Sequence, residues 1–468
     1  MAGSFAVFAL VAAAAPAQDH QHRATNPARV TTVAQSSGAT PFENVSREPQ
    51  TVEVTLVAAP TRLSLIPGPA TGVYAYNGSV PGPTLEVREG DRVIIHFRNN
   101  LPEPTTIHWH GLHIPFDQDG SPFHPVAPGA KHDYTFTLRK GSAGTYWYHP
   151  HPHHNTGAQV GRGLYGAIVV RANDDPLPTM TDRVLVISDN RFRPDNSFDF
   201  PDPASPAGRT DAENGREGPV FFVNGKVKPE IDIRAGETQR WRIINATASR
   251  VLRLAVSGHK LVHVGTDGGL FEHPVEVDEV TLGVGERAEV LVRAVAAPGA
   301  RSALQMLPYD RYIPQTKPKD WDQTRELLSL KYSSKPRVQP IRIPTTLRAI
   351  PVLDTTQVAA VRVMALTQHL INGRSMDMNR VDVSARLGDT EIWQIENLVG
   401  MDHPFHLHGF QFQVLDRNGV PERDRRWKDV VNVPRHQTAR FVVRYDNHPG
   451  KWMFHCHILD HEDHGMMG

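Results

Sequence analysis

Hydrophobic and polar residues alternate in short runs along most of the chain. The stretches "RVIIHFRN" at 92–99 and "EIWQIEN" at 391–397 switch character at nearly every position, with Val, Ile and aromatic residues on the apolar side. A period of two belongs to strands with one buried face, and sustained 3.6-residue periodicity is scarce. Pro and Gly punctuate the runs, as short strands joined by turns require. The pattern predicts an all-β chain.

One pattern occurs three times. "YNGSVPGPTLEVREGDRVIIHFRNNL" begins at Tyr76, "VNGKVKPEIDIRAGETQRWRIINAT" at Val223 and "INGRSMDMNRVDVSARLGDTEIWQIENL" at Ile371. The Asn-Gly pairs at 77, 224 and 372 are spaced by 147 and 148 residues, a period of duplicated domains rather than solenoid units. Each copy reads as a turn, an extended segment, a second turn at Gly-Asp or Gly-Glu, and an alternating strand. The expectation is three antiparallel β-sandwich domains over 51–175, 176–338 and 339–468, divided at "NDDPLPTMTD" and "SKPRVQPIRIP". The opening "MAGSFAVFALVAAAAPAQ" is apolar, too short to span a bilayer and closes on Ala15-Pro16-Ala17, a small-x-small site, so a secretory signal is expected over residues 1–17. A disordered apolar tail is the alternative, since a basic leading region is missing; a polar flexible lead-in follows to residue 50. The expected location is therefore secreted or periplasmic.

Lys plus Arg and Asp plus Glu both number 50, so neither nucleic acid nor an anionic membrane is expected as a partner. Histidine changes the picture: there are 25, with a single cysteine, Cys456. One cysteine forms no intrachain disulfide and is of interest as a ligand or nucleophile. The histidines gather in "HWHG" (His108, His110), "WYHPHPHH" (His149, His151, His153, His154), "HPFHLHG" (His403, His406, His408) and "HCHILDH" (His455, His457, His461).

Strand parity sorts them. Residues two apart share a face and neighbours point opposite ways, so His455 and His457 face one side and Cys456 the other. His406 and His408 share a face, and His403, at odd offsets from them, goes with Cys456. One face then collects His403, Cys456 and His461, with Met466 as a weak axial candidate, the ligand set of a blue-copper electron-transfer site. The other collects His406, His408, His455 and His457, joined by His108, His110, His149 and His151. Eight imidazoles exceed the needs of one ion and suit a multi-copper cluster between the first and third domains. The second domain, lacking an HxH pair, is expected to be a spacer. Asp402, Asp460 and Asp463 are expected to be solvated acids near the first set.

The four motifs, in this order and over nearly the whole chain from about residue 50, resemble the copper-binding signatures of the multicopper oxidases. "WYHPHPHHNTGAQVGRGLYGAIVV" and "HEDHGMM" are most similar to bacterial three-domain laccases and copper-efflux oxidases, although the methionine-rich insert of the latter has no counterpart here. The resemblance implies a cupredoxin-like Greek-key sandwich in each domain and four copper ions. His403, Cys456, His461 and Met466 would hold the type 1 ion, His108 and His406 the type 2 ion. His110, His149, His151, His408, His455 and His457 would hold the binuclear type 3 pair. Asp119 resembles the family's carboxylate near the cluster and Glu462 the one proposed to pass protons to oxygen; either could instead fix a neighbouring histidine. The implied activity is a laccase-like monomeric oxidoreductase that removes single electrons from a phenol or aromatic amine and reduces O2 to water through Cys456. The alternatives are a cuprous oxidase taking electrons from Cu(I), and a non-catalytic copper-binding envelope protein.

Overall fold

The three Asn-Gly sites build the same corner three times. Asn77, Asn224 and Asn372 have φ of 49°, 51° and 52°, and the glycines that follow have φ of 74°, 74° and 71°, the doubly left-handed turn that Asn-Gly favours. Each Asn also clamps the strand that precedes the repeat. The side chain of Asn77 accepts from Val57 N and donates to Thr55 O. Asn224 does the same with Val186 N and Val184 O, and Asn372 with Ala365 N and Val363 O.

The computed structural model describes residues 41–311 and 321–468, and the expected signal segment lies outside them. Their strands form six sheets of four, four, six, five, six and three strands, paired into three sandwiches, so the all-β expectation holds. A separate buried core lies in each: around Val54, Phe97 and Ile168, around Trp241, Leu254 and Leu330, and around Trp393, Phe405 and Phe441. The sheets are mixed rather than purely antiparallel. Thr51–Leu63 runs parallel to Arg92–Asn99, Thr181–Asn190 to Thr238–Asn245, and Ala360–Thr367 to Thr390–Asn397. The cause is the repeat itself: the chain crosses to the other sheet after the Asn-Gly turn and returns beside its first strand in the same direction. The end of the expected lead-in is also part of the fold, since Pro41 bridges Thr84 and Phe42 packs against the first core.

Two short edge strands carry Cys456 and three of the clustered histidines, His108, His110 and His455. His108–His110 is an edge of one four-stranded sheet and pairs with Gly144–His149, placing His108 opposite His149. Phe454–Cys456 is an edge of the three-stranded sheet and pairs with His403–Leu407, placing Cys456 opposite Phe405 and His455 opposite His406. Between the first two sandwiches, Glu289 accepts from both Thr145 Oγ1 and Arg242, all buried. Among the described residues no helix is long and apolar enough to cross a membrane.

Candidate metal centre

Cys456 points into the core of the third sandwich, where it is fully buried. His403 Nδ1 lies 3.3 Å and His461 Nδ1 3.7 Å from its Sγ. His403 reaches it from the neighbouring strand, and His461 from the one-turn helix Leu459–Asp463 that follows directly. Met466 is buried in the same core, and its carbonyl accepts from Cys456 N at 3.0 Å. Burial pushes the Cys456 thiol far up and holds His403 at about 3, so the copper-free site is a neutral thiol between neutral imidazoles.

The backbone on either side of Cys456 delivers the two neighbouring imidazoles to a second, all-histidine cluster. His455 Nε2 lies 3.2 Å from His151 Nε2 and 3.0 Å from His408 Nε2. His457 Nε2 lies 3.2 Å from His110 Nδ1, which is itself 3.5 Å from His149 Nε2. His108 stacks on His408 at 3.9 Å and His110 on His406 at 4.0 Å, across the two sandwiches. The eight rings are buried, and desolvation holds six of them, at 110, 149, 151, 406, 408 and 457, well below the usual imidazole range.

Outer hydrogen bonds select which nitrogen faces inward. Nδ1 of His149 donates to Pro150 O and Nδ1 of His455 to Cys456 O. His108 Nδ1 donates to the Asp119 carbonyl and His408 Nδ1 to the Asp119 carboxylate, both at 2.9 Å. His406 Nδ1 donates to the Asp429 carbonyl at 2.7 Å. His110 is the exception: Nε2 donates to Asp429 Oδ1 at 2.9 Å and Nδ1 is left for the cluster. Glu462 stands 3.3 Å from His151 Nδ1 and 3.4 Å from His455 Nδ1, with both oxygens buried and unbonded.

The donor chemistry fits copper. A thiol with two imidazoles is the soft set, and the all-imidazole cluster retains buried nitrogens without a partner, His108 Nε2 and His406 Nε2 among them. Close groups that could each hold an ion include His403, Cys456 and His461; His151, His408 and His455; and His108, His110 and His149.

Some expectations are corrected. The second sandwich is more than a spacer: a Cβ at Gly285 would stand 2.9 Å from the His457 ring, and Arg287 reaches Asp429. Asp402 is buried and accepts from Tyr309 Oη and Asn432 Nδ2, while Asp460 and Asp463 accept from the backbone N–H of Arg216 and of Thr156 and Gly157. They brace elements instead of facing solvent. Asp429, Arg287 and His369, whose ring lies 4.9 Å from that of His461, were not singled out by sequence reasoning; no local spacing marks them.

Three family models described as multicopper oxidase match residues 58–175, 145–302 and 346–468. A multicopper oxidase from Staphylococcus haemolyticus is 33% identical over 85% of this chain and 83% of its own. The multicopper oxidase of Campylobacter jejuni, a metallo-oxidase, superposes with a TM-score of 0.84 at 35% identity, covering 92% of this chain and 94% of that one. A laccase from Pediococcus acidilactici gives 0.82 at 31% identity, covering 92% of each. With the two donor sets in place and these matches along its length, the chain belongs to the multicopper oxidases, copper-dependent oxidoreductases that use O2 as electron acceptor.

Proposed function

We propose that the protein is a laccase-like oxidase with four copper ions. His403, Cys456, His461 and Met466 would hold one. His108 and His406 hold the second. His110, His149 and His457 hold the third, and His151, His408 and His455 the fourth. When bound, the copper ions supply one-electron oxidation of the donor at the thiolate set and reduction of O2 to water at the imidazole sets.

The observation that carries the reading is the adjacency within residues 455–457. Cys456 Sγ sits 3.3 Å from His403 Nδ1, while His455 and His457 deliver Nε2 to imidazoles of the other set. The chain between them is a short covalent path joining the two sets. Asp119 orients His108 and His408 through its carbonyl and carboxylate. Burial holds the Glu462 carboxyl well above its usual range, so between His151 and His455 it keeps a proton available at its oxygens.

On the side of His461 the site is closed by the helix Pro206–Asn214, whose Glu213 O accepts from His461 Nε2, so the donor would give its electron across this cover rather than bind the ion. We take the donor to be a small phenol or aromatic amine, and the protein to be a monomer exported by its apolar first 17 residues. The test is O2 uptake by the copper-loaded protein, with a substituted phenol and Cu(I) offered side by side. The proposal expects rapid phenol-driven uptake. Uptake driven by Cu(I) with little from phenol would replace it with a cuprous oxidase.

A further inference from the structure

Four of the cluster histidines are held by only two aspartates, and the two work alike. Asp119, from the first sandwich, uses its carbonyl for His108 of its own sandwich and its carboxylate for His408 of the third. Asp429, from the third, uses its carbonyl for His406 of its own sandwich and its carboxylate for His110 of the first. The held rings stack in matching pairs, His108 on His408 and His110 on His406. The site thus has an approximate twofold exchange between sandwiches, with one aspartate at each corner.

The Asp429 corner has an extra support. Arg287, on the strand Arg287–Arg293 of the second sandwich, is fully buried. Its Nη1 and Nη2 donate to Asp429 Oδ1 and Oδ2 at 2.7 and 2.6 Å. Nη1 also donates to Gly285 O, Nη2 to Asp267 O, and Nε to Thr145 O at 3.0 Å. An arginine has five N–H donors, and here all are used on acceptors from three sandwiches. The fork fixes the plane of the Asp429 carboxylate, and that plane fixes Oδ1, the acceptor for His110 Nε2.

We propose that Asp429, locked by Arg287 of the second sandwich, is a positioning residue for the copper cluster, setting His110 with Nδ1 inward and steadying His406. The proposal rests on the ligand reading above. It makes the second sandwich part of the cluster's support, through a residue that touches no ligand itself.

The experiment compares wild type, Asp429→Ala, Arg287→Lys and His110→Ala after copper loading. Copper per chain is measured during competition with a chelator, and the thiolate-to-copper absorption of the Cys456 site is followed alongside. Asp429→Ala is expected to retain the copper held with His110 roughly 10–100-fold more weakly, the usual cost of losing a ligand's outer partner, while the Cys456 absorption stays. Arg287→Lys keeps the charge without the fork and is expected to show the same selective loss to a smaller degree. A mere interdomain ion pair would leave copper retention unchanged or lower it at both sites together. Wild-type retention in Asp429→Ala, with loss in His110→Ala, would overturn the proposal and leave the ligand reading standing. Wild-type retention in His110→Ala would overturn both. If Asp429→Ala does not fold, Arg287→Lys is judged against the same outcomes.

Discussion

At Gly285 the second sandwich presses directly on the cluster. Its φ is +81°, and an added Cβ would lie 2.9 Å from His457 Cδ2 and Nε2 and 3.2 Å from His110 Cε1. Both the backbone conformation and the space require glycine there. Gly285→Ala is therefore expected to push His457 aside and lower copper per chain, with the Cys456 absorption retained; a full copper complement in metal analysis would contradict this. At this scale the sequence was informative wherever chemistry is local. Cys456 between His455 and His457 announces two opposed donor sets, because one residue of strand reverses the side-chain direction. Asp429 and Arg287 were silent, because their meaning comes from partners 319 and 142 residues away.

The Asn-Gly turns show how one local motif serves three elements at different cost. Asn224 is buried, and its side chain satisfies Val186 N and Val184 O while its own N–H donates to Val186 O at 2.9 Å. Asn77 and Asn372 make equivalent bonds at exposed positions. Truncation at 224 strands two buried backbone groups, at about 1–3 kcal/mol each, whereas water can serve the exposed pair. Asn224→Ala should lower the unfolding midpoint clearly more than Asn77→Ala or Asn372→Ala, measured side by side by thermal unfolding. Equal shifts would mean the clamp is not what stabilises the turn. The strands themselves were legible from alternation, and the corners from Asn-Gly. The parallel pairing of the first and returning strands was not, since alternation records which face is buried and not which neighbour a strand acquires.

Across the molecule, the buried histidines join the sandwiches and also make them sensitive to acid. Burial holds His403, His455 and, away from the cluster, His263 at about 3. These values lie below the ~6.5 of an unfolded histidine, so the unfolded chain takes up protons first. Stability from these groups is complete above pH ~6.5 and is lost as the pH falls from there towards 3, by up to about 1.4 kcal/mol per pH unit for each group. The copper-free protein is expected to lose thermal stability steeply between pH ~6.5 and ~4, and the copper-loaded protein much less, because copper binds the folded, neutral ligands. Parallel melting curves against pH check this; coincident curves would contradict it. Whether Cys456 joins a thiolate copper site to a separate histidine cluster is decided by Cys456→Ser, with copper content and donor-driven O2 uptake measured on one preparation. The variant is expected to fold, keep most of the cluster copper, lose its colour and take up no O2 with a donor. Sustained donor-driven uptake in that variant would contradict this.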